Sequence, residues 1–399
     1  MNTPKIRFKG FEDDWEQRKL GDSCKLNGRI GFRGYTEKDI VTKEIGGVLT
    51  FSPTNIVDNK LTMECKNTYI TREKYDESPE IKIFNGDILF VKTGSTLGKS
   101  ALVTGLKEDA SINPQIVVMR VEKDKETFMS NVLITDGIKK QVTAVKIGGA
   151  VPTMTETELK NIKYYEPVEK EEQKRIGQYF EHLDHLITLH QRKCDETKQL
   201  KKFMLQKMFP KNGEKNPEIR FEGFTDAWEQ RKFEDVGTVA MCKRIFKEQT
   251  SEEGEVPFYK IGTFGGIPDA YITRELFEEY KKNYQYPNKG DILISASGSI
   301  GRTVEYTGKD EYYQDSNIVW LKHENDLDNS FLKVLYGVIE WSCEGSTIKR
   351  LYNDNFLKTE FMLPKIEEQI KIGEYFSKLD HLITLHQRKC DETKQLKKF

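Results

Sequence analysis

The chain has 399 residues, of which 37% are hydrophobic and 32% are charged. This length predicts two to three domains of about 150 residues each, and the high charged fraction favours a surface-rich molecule over one large core. No stretch approaches the ~20 apolar residues of a membrane helix and the chain start has no apolar signal region, so we expect a soluble, cytoplasmic protein with no membrane partner.

The six cysteines form no C-x-x-C pair. Neither a zinc ribbon nor a disulfide framework is therefore indicated, and we expect reduced thiols and no metal site.

A first internal repeat opens the chain. The pattern P-x-I-R-F-x-G-F-x-D-x-W-E-Q-R-K at residues 4–19 returns at residues 217–232. Trp15 and Trp228 are in register between the two copies, and we expect them to anchor cores. Because a repeat fixes the architecture before any secondary structure is assigned, the chain divides into two related halves.

Residues 1–168 and 211–365 carry short β-rich runs, such as ILFV and QIVVMRV in the first and DILIS and NIVWLK in the second. Clusters of Gly, Asn and Asp bound these runs, a pattern typical of strands linked by loops. Both regions also share the motifs Y-I-T-R-E and G-D-I-L followed by a glycine and serine loop, but elsewhere they diverge. We predict two α+β globular domains with related folds and different surfaces.

Cations and hydroxyls cluster at comparable places in both domains. Glycine-rich loops expose backbone N–H groups, and hydroxyls with a cation can complete a phosphate cradle. The candidate phosphate contacts are Lys25, Arg29, Arg33, Lys92, Thr93, Ser95 and Lys99 in the first domain, and Lys243, Arg244, Lys247, Ser297, Ser299 and Arg302 in the second. Asn113, Gln115 and Asn317 are candidates for pairing with adenine edges. The alternative is that these are solvated loops, structural turns and ordinary strand-edge amides.

No catalytic motif is present. Residues 94–100 (GSTLGKS) resemble a nucleotide-binding P-loop, but that motif needs four residues between its glycines and this stretch has three. The N/D-P-P-Y/F motif of adenine methyltransferases, G-x-S-x-G and H-E-x-x-H are also missing. The sequence therefore predicts a non-catalytic protein without a cofactor.

Two long helices are predicted, over residues 169–210 and 366–399, where Leu, Lys, Gln and Glu dominate. Forty residues make a helix of roughly 60 Å, which is a spacer as much as a packing element. Apolar residues recur at the alternating spacing of a coiled-coil seam. These candidate residues for a helix-pair or partner-subunit interface are Ile176, Phe180, Leu183 and Ile187 in the first helix, and Ile372, Phe376, Leu379 and Ile383 in the second.

The 21 residues at 183–203 recur without a change at 379–399. Identical helices favour equivalent environments, which an antiparallel pair around a pseudo-two-fold axis provides. Such a frame offers two equivalent docking surfaces to two copies of one partner, while two different domains face an asymmetric target. The alternative is a recent duplication whose helices pack only on each other.

This alternation of two variable α+β domains with two near-identical helices resembles the specificity subunit of Type I restriction-modification systems, over essentially the whole chain. The resemblance implies that the domains are target recognition domains, each reading one half of a bipartite sequence in double-stranded DNA. It also implies that the helices set the half-site spacing and bind two methyltransferase subunits, through which restriction and translocase subunits join.

The net charge of −1 is low for a DNA reader. We therefore expect binding to depend on local cationic clusters and on phosphate contacts from partner subunits. A DNA-free scaffold organised around the helix pair is the alternative function, and it would lack salt-sensitive DNA binding.

Overall fold

The computed structural model describes residues 4–28, 35–123, 125–145, 151–211, 213–345 and 349–398. The chain forms two compact units, Met1–Thr188 with Thr393–Phe399, and Leu189–Glu392. Within the described ranges, no helix is both long and apolar enough to cross a bilayer.

The first unit contains two four-stranded sheets, with the strand orders β2-β11-β8-β9 and β10-β4-β7-β3. Its strands are β1 (Glu16–Lys19), β2 (Cys24–Asn27), β3 (Ile40–Val41), β4 (Val48–Phe51), β5 (Ile56–Val57), β6 (Lys60–Leu61), β7 (Thr68–Ile70), β8 (Ile88–Val91), β9 (Ser100–Leu102), β10 (Ala110–Ile112), β11 (Ile116–Val121) and β12 (Lys163–Glu166). Its helices are α1 (Leu20–Ser23), α2 (Arg72–Asp76), α3 (Glu126–Leu133), α4 (Asp136–Val145), α5 (Glu156–Asn161) and the first half of α6 (Lys170–Lys207).

Strand β8 is buried on both faces. Ile88 and Phe90 contribute to the core that also holds the apolar residues of α3. Leu89 and Val91 contribute to the core shared with β4 of the other sheet. Because successive side chains of a strand point to opposite faces, a strand covered on both sides appears in the sequence as a continuous apolar run.

The second unit repeats this plan. Its four-stranded sheet has the order β14-β20-β17-β18, and a three-stranded sheet has the order β16-β15-β19. The strands are β13 (Glu229–Lys232), β14 (Gly237–Ala240), β15 (Val256–Tyr259), β16 (Tyr271–Ile272), β17 (Ile292–Ser295), β18 (Thr303–Glu305), β19 (Tyr312–Tyr313), β20 (Ile318–His323) and β21 (Glu360–Leu363). The helices are α7 (Phe233–Val236), α8 (Arg274–Asn283), α9 (Asn329–Val338), α10 (Asn353–Lys358), α11 (Ile366–Lys398) and the second half of α6.

The shared Y-I-T-R-E motif is the end of a strand followed by a helix start. Thr71 caps α2 and accepts a hydrogen bond from the backbone N–H of Lys74. Thr273 caps α8 and accepts one from the N–H of Leu276. A threonine at this position satisfies a backbone donor that the helix leaves unpaired, which gives the motif a structural role in both domains.

The first sequence repeat fastens each domain to the beginning of a long helix. The guanidinium of Arg7 donates two hydrogen bonds to the carboxylate of Glu172, at 2.6 and 2.8 Å, and Arg220 does the same to Glu368, at 2.7 and 2.8 Å. The two carboxylates are almost fully buried, with exposed fractions of 0% and 1%. Aromatic rings pack edge to face beside both ion pairs: Phe8 on Tyr179, and Phe221 on Tyr375.

Within Leu189–Glu392 the two long helices run antiparallel. His190 of α6 meets His386 of α11, with 3.2 Å between the two Nδ1 atoms, and Lys201 donates to Asp380 at 2.5 Å. Residue numbers rise along one helix as they fall along the other, which defines the antiparallel direction. His386 is the repeat equivalent of His190, so a local two-fold axis passes between these two side chains.

The predicted seam residues divide between the helix pair and the domain cores. Ile372, Phe376 and Leu379 lie in the core of the second unit together with Met208. These side chains join α11 to its domain, and their burial removes them from any surface that a partner subunit could reach. The other positions are Leu183, which is buried, Ile176, which packs against the first core, and Phe180, Ile187 and Ile383, which are half-buried.

The predicted fold class, two α+β domains with two long antiparallel helices, is confirmed. The helices extend over Lys170–Lys207 and Ile366–Lys398. Trp228 is buried in a core and Trp15 packs against one, as expected of anchors. The domain boundaries drawn at residues 168, 210 and 365 stay predictions.

We predict that Arg220→Ala destabilises the protein by about 2–4 kcal/mol, because it leaves the buried carboxylate of Glu368 without its partner. Chemical denaturation followed by tryptophan fluorescence measures the change. Arg231→Ala is the matched control, because Arg231 pairs with Glu229 at the surface and should change stability little. Equal effects of the two substitutions would contradict the structural role of the buried pair.

We also predict that the helix pair weakens as the pH falls. Burial, followed by the charges of His386, Lys389 and Lys193, lowers the pKa of His190. The unfolded chain then binds more protons than the folded chain below about pH 6.5, so the free energy of unfolding falls as the pH decreases through that range.

Denaturation at several pH values should show this loss in the wild type and a flatter profile in His190→Gln. His182→Gln, at an exposed position of the same helix, should keep the wild-type profile. An unchanged profile in His190→Gln would contradict the assignment.

Candidate nucleic-acid interface

One end of the β2-β11-β8-β9 sheet collects most candidate residues of the first domain. Val118 of β11 is paired with Asn27 of β2, and Ile116 with Val91 of β8. The ends of β2 and β8 therefore lie at the same edge as the beginning of β11. We call this end of the sheet the first edge. The loop 92–99 follows β8 there, and Gln115 immediately precedes β11.

Backbone contacts hold this loop against Gln115. The N–H of Lys92 donates to the carbonyl of Gln115 at 2.8 Å. A side chain on Gly94 would bring its Cβ within 3.2 Å of the Gln115 amide nitrogen. Gly94 also has a φ of 105°, a backbone conformation that favours glycine. The glycine in the loop thus permits a close approach of backbone and amide.

Asn113 supports Gln115. Its Nδ2 group donates to Gln115 Oε1 at 3.1 Å, and its Oδ1 atom accepts from the backbone N–H of Gln115 at 3.0 Å. Asn113 is 9% exposed. Among the described residues the Nε2 group of Gln115 has no hydrogen-bond partner, and Gln115 is half-buried. Gln115 can therefore offer both N–H donors to a ligand, whereas Asn113 is buried and uses one N–H to hold Gln115.

The cations of the first edge lie around this loop. The amine of Lys92 lies 3.3 Å from the position that a Gly28 Cβ would take, where the chain leaves β2. Lys25 is exposed on β2 opposite Arg120, set back from the edge. Lys99 and Ser95 are exposed, whereas Thr93 is half-buried and forms a bridge with Thr153. Arg29 and Arg33 lie outside the described residues.

The second domain has the corresponding second edge, formed by the ends of β14 and β17 and the beginning of β20. The N–H of Ala296 donates to the carbonyl of Asn317 at 2.7 Å, which repeats the contact between Lys92 and Gln115. Ser297 donates through its hydroxyl to Asn317 Oδ1 at 2.7 Å and is 5% exposed. Ser297 therefore orients Asn317 and does not present its hydroxyl to a ligand.

Cations surround the second edge as well. The Arg244 side chain pairs with Asp315 at 2.8 Å yet stays 58% exposed. The ammonium of Lys243 lies 4.9 Å from the centre of the Tyr284 ring. The remaining candidates are exposed: Lys247, Ser299 and Arg302. Arg302 donates to the carbonyl of Ile261 at 3.1 Å, which fixes its direction without removing it from solvent.

The sequence did not reveal the segment that closes each loop. The N–H of Gly94 donates to the carbonyl of Pro152 at 2.9 Å. In the second domain, the N–H of Leu351 donates to the carbonyl of Ala296 at 2.8 Å. In the second domain this brings the exposed cations Lys349 and Arg350 to the glycine and serine loop. The sequence offered one sign of this contact, two adjacent cations at 349–350. They lie far from the loop along the chain, so the sequence did not connect them with it.

Each edge thus combines a glycine-containing loop, an amide side chain and at least one exposed cation, which is Lys99 in the first edge and Arg302 in the second. Lys and Arg side chains and loop N–H groups suit phosphate oxygens, and Gln or Asn amides suit base edges. Over the described parts of the chain, no group of three or more His, Cys, Asp or Glu residues is placed to hold a metal.

A family model described as "Type I restriction modification DNA specificity domain" matches residues 12–199 and 225–395. The chain belongs to this family. The two matches divide the chain into two copies of the specificity domain, in agreement with the two related domains and edges.

Relatives of this family cover the chain to different extents. A putative type I restriction enzyme specificity subunit of Haemophilus influenzae is 55% identical over 150 residues, which is 37% of this chain and 39% of that protein. The chain thus spans about two fifths of that relative. A putative specificity subunit of Methanocaldococcus jannaschii is 24% identical over 428 residues, covering 100% of this chain and 94% of that protein.

The fold is also that of a solved specificity subunit. The crystal structure of the Type I restriction-modification S subunit from M. genitalium matches with a TM-score of 0.63 at 14% identity, covering 99% of this chain and 96% of that chain. At this identity the likeness concerns the fold.

Proposed function

We propose that this protein is the DNA-recognition subunit of a Type I restriction-modification complex, and that each domain reads one half of a bipartite, asymmetric target. The supporting observation is the same edge built twice with different side chains. Gln115 stands in the first edge where Asn317 stands in the second, and the surrounding cations differ. Two edges with the same backbone arrangement but different side chains are suited to reading two different half-sites.

In this proposal phosphate contacts position the protein and amide contacts read bases. Lys25, Lys92, Lys99, Lys243, Arg244, Lys247 and Arg302 would contact phosphates, with Arg29 and Arg33 added in the first domain. Gln115 and Asn317 would contact base edges, supported by Asn113 and Ser297. Thr93, Ser95 and Ser299 would line the loops. Since the net charge of the chain is −1, partner subunits would supply further phosphate contacts.

The long helices would set the distance between half-sites and bind two methyltransferase subunits, through which restriction and translocase subunits join. The identical helical segments support this, because equal surfaces suit two copies of one partner. Leu200 of α6 and its repeat equivalent Leu396 of α11 are 44% and 56% exposed. Exposed large apolar residues at matching places are suited to an interface.

The chain itself would be non-catalytic and would hold no cofactor. The methyl donor and ATP would be bound by the partner subunits, because the chain lacks methyltransferase and nucleotide-binding motifs.

The deciding experiment exchanges residues 217–365 for the matching domain of another member of the family. The donor should keep an arginine at position 220, because this residue pairs with Glu368 outside the exchanged range. With methyltransferase subunits present, methylation mapping should show one half-site changed and the other kept. The reciprocal exchange of residues 1–168 is the control and should change the opposite half. A change of both halves in either variant would contradict the modular assignment.

A second test concerns the cations of the edges. Arg302→Ala and Lys99→Ala should each weaken DNA binding by the assembled complex and lower the slope of log K against log salt by about 1, as expected for one lost phosphate contact. Lys333→Ala is the matched control, because Lys333 of α9 pairs with Glu305, which lies opposite the beginning of β17 whereas the loop follows its end. Unchanged slopes in both variants would count against these loops, and salt-independent binding of the wild type would favour the DNA-free scaffold.

A further inference from the structure

The β5–β6 hairpin of the first domain reaches the long helix. The ammonium of Lys60 donates to the hydroxyl of Thr188 at 3.0 Å and lies 3.9 Å from Asp184 Oδ1. The other carboxylate oxygen of Asp184 accepts from Lys397 at 2.6 Å. One carboxylate therefore joins the hairpin, α6 and the end of α11, all within the first unit.

Hydrogen bonds of a buried side chain hold the base of the hairpin together. Asn55 is fully buried; its Oδ1 accepts from the N–H of Ser52 at 2.9 Å and its Nδ2 donates to the carbonyl of Thr62 at 3.1 Å. Asp58 and Asn59 at the tip have φ values of 48° and 61°, the left-handed conformation of a tight two-residue hairpin turn. Because the buried amide of Asn55 is hydrogen-bonded, the base of the hairpin fixes where its tip lies.

The same hairpin also touches the loop of the first edge. The ammonium of Lys99 lies 3.5 Å from the carbonyl oxygen of Ile56, and the Ile56 side chain is fully buried in the core beneath β8. The hairpin thus has one contact with the candidate DNA loop and another with the helices.

In the part of the chain that the structure describes, the equivalent carboxylate of the second helix has fewer ion-pair partners than that of Asp184. Asp380, the repeat equivalent of Asp184, pairs among the described residues with Lys201 alone. Its side chain is 48% exposed, against 30% for Asp184. Because the helical segments are identical in sequence, the difference arises from the hairpin of the first domain.

We propose that the β5–β6 hairpin is a strut that fixes the orientation of the first domain on its helix, with Lys60 as the positioning residue, and that this strut restricts the half-site spacings that the complex accepts. The restriction rests on the proposed function above. Lys60 acts through Asp184 and Thr188 and touches no DNA, so its loss changes the tolerated spacing and leaves the bases read at each half-site unchanged.

The test uses the full chain assembled with methyltransferase subunits and a DNA library in which both half-sites are constant and the gap varies. Lys60→Met should lower the preference for the best gap over its neighbours by about three- to tenfold, the loss expected for one polar contact between partly exposed side chains. Lys60→Arg should restore the preference, and Thr188→Val should lower it in part. Lys66→Met, at an exposed position of the same segment, is the matched control. Wild-type gap preference in Lys60→Met would overturn the proposal.

Amide hydrogen exchange of the full chain tests the strut without DNA. The hairpin amides at residues 56–61 should exchange faster in Lys60→Met and Thr188→Val than in the wild type and Lys66→Met. Unchanged amide exchange in both variants would contradict the role of the hairpin as a strut, regardless of the gap preference measured on DNA. A wild-type complex that methylates no bipartite site would instead overturn the proposed function, and hydrogen exchange would still decide the role of Lys60.

Discussion

The antiparallel pairing of two identical helical segments is the constraint on which the rest of this structure depends. Since the two sequences are the same, a contact made by one copy recurs with the roles of the copies exchanged. Lys201 binds Asp380, and Lys397 binds Asp184, its repeat equivalent. The register is fixed where His190 meets His386. Within Leu189–Glu392, a shift of α6 along α11 would break the contact of Lys201 with Asp380.

Each globular domain is attached to this pair by the same device. The buried Glu172 and Glu368 lie in the first turns of the two long helices and are bound by Arg7 and Arg220 of the repeated N-terminal segments. Burying a carboxylate is costly unless it is paired and hydrogen-bonded. These two bidentate pairs therefore specify where each domain joins its helix, and they give the N-terminal repeat the same structural role in both domains.

The central strands of both domains have a consequence for binding. β8 and β17 are covered on both faces, so their side chains are committed to the cores. The polar side chains that differ between the two domains therefore lie in the loops at the strand ends. Backbone hydrogen bonds hold Gln115 and Asn317 there. The two domains therefore differ in these loops and in the Lys60 hairpin, whereas the helical segments at 183–203 and 379–399 are identical in sequence.

The sequence alone determined the two-domain plan, the long helices and the presence of short strands, because each follows from local periodicity or from a repeat. Apolar runs such as ILFV gave strands, and the alternating apolar spacing gave helices. It also picked out the glycine and serine loops, since glycine patterns are local.

Only the tertiary structure decided which side chains face solvent and which distant residues meet. Ser297 and Asn113 are polar and lie beside exposed loops in sequence, yet both are buried as supports for their neighbours. Ile372 and Phe376 fit a helix seam but belong to a domain core. Lys60 and Asp184 are 124 positions apart along the chain, and Arg350 reaches the loop after β17 from a remote segment. Such pairings depend on how folded elements pack, and no local pattern of residues encodes them.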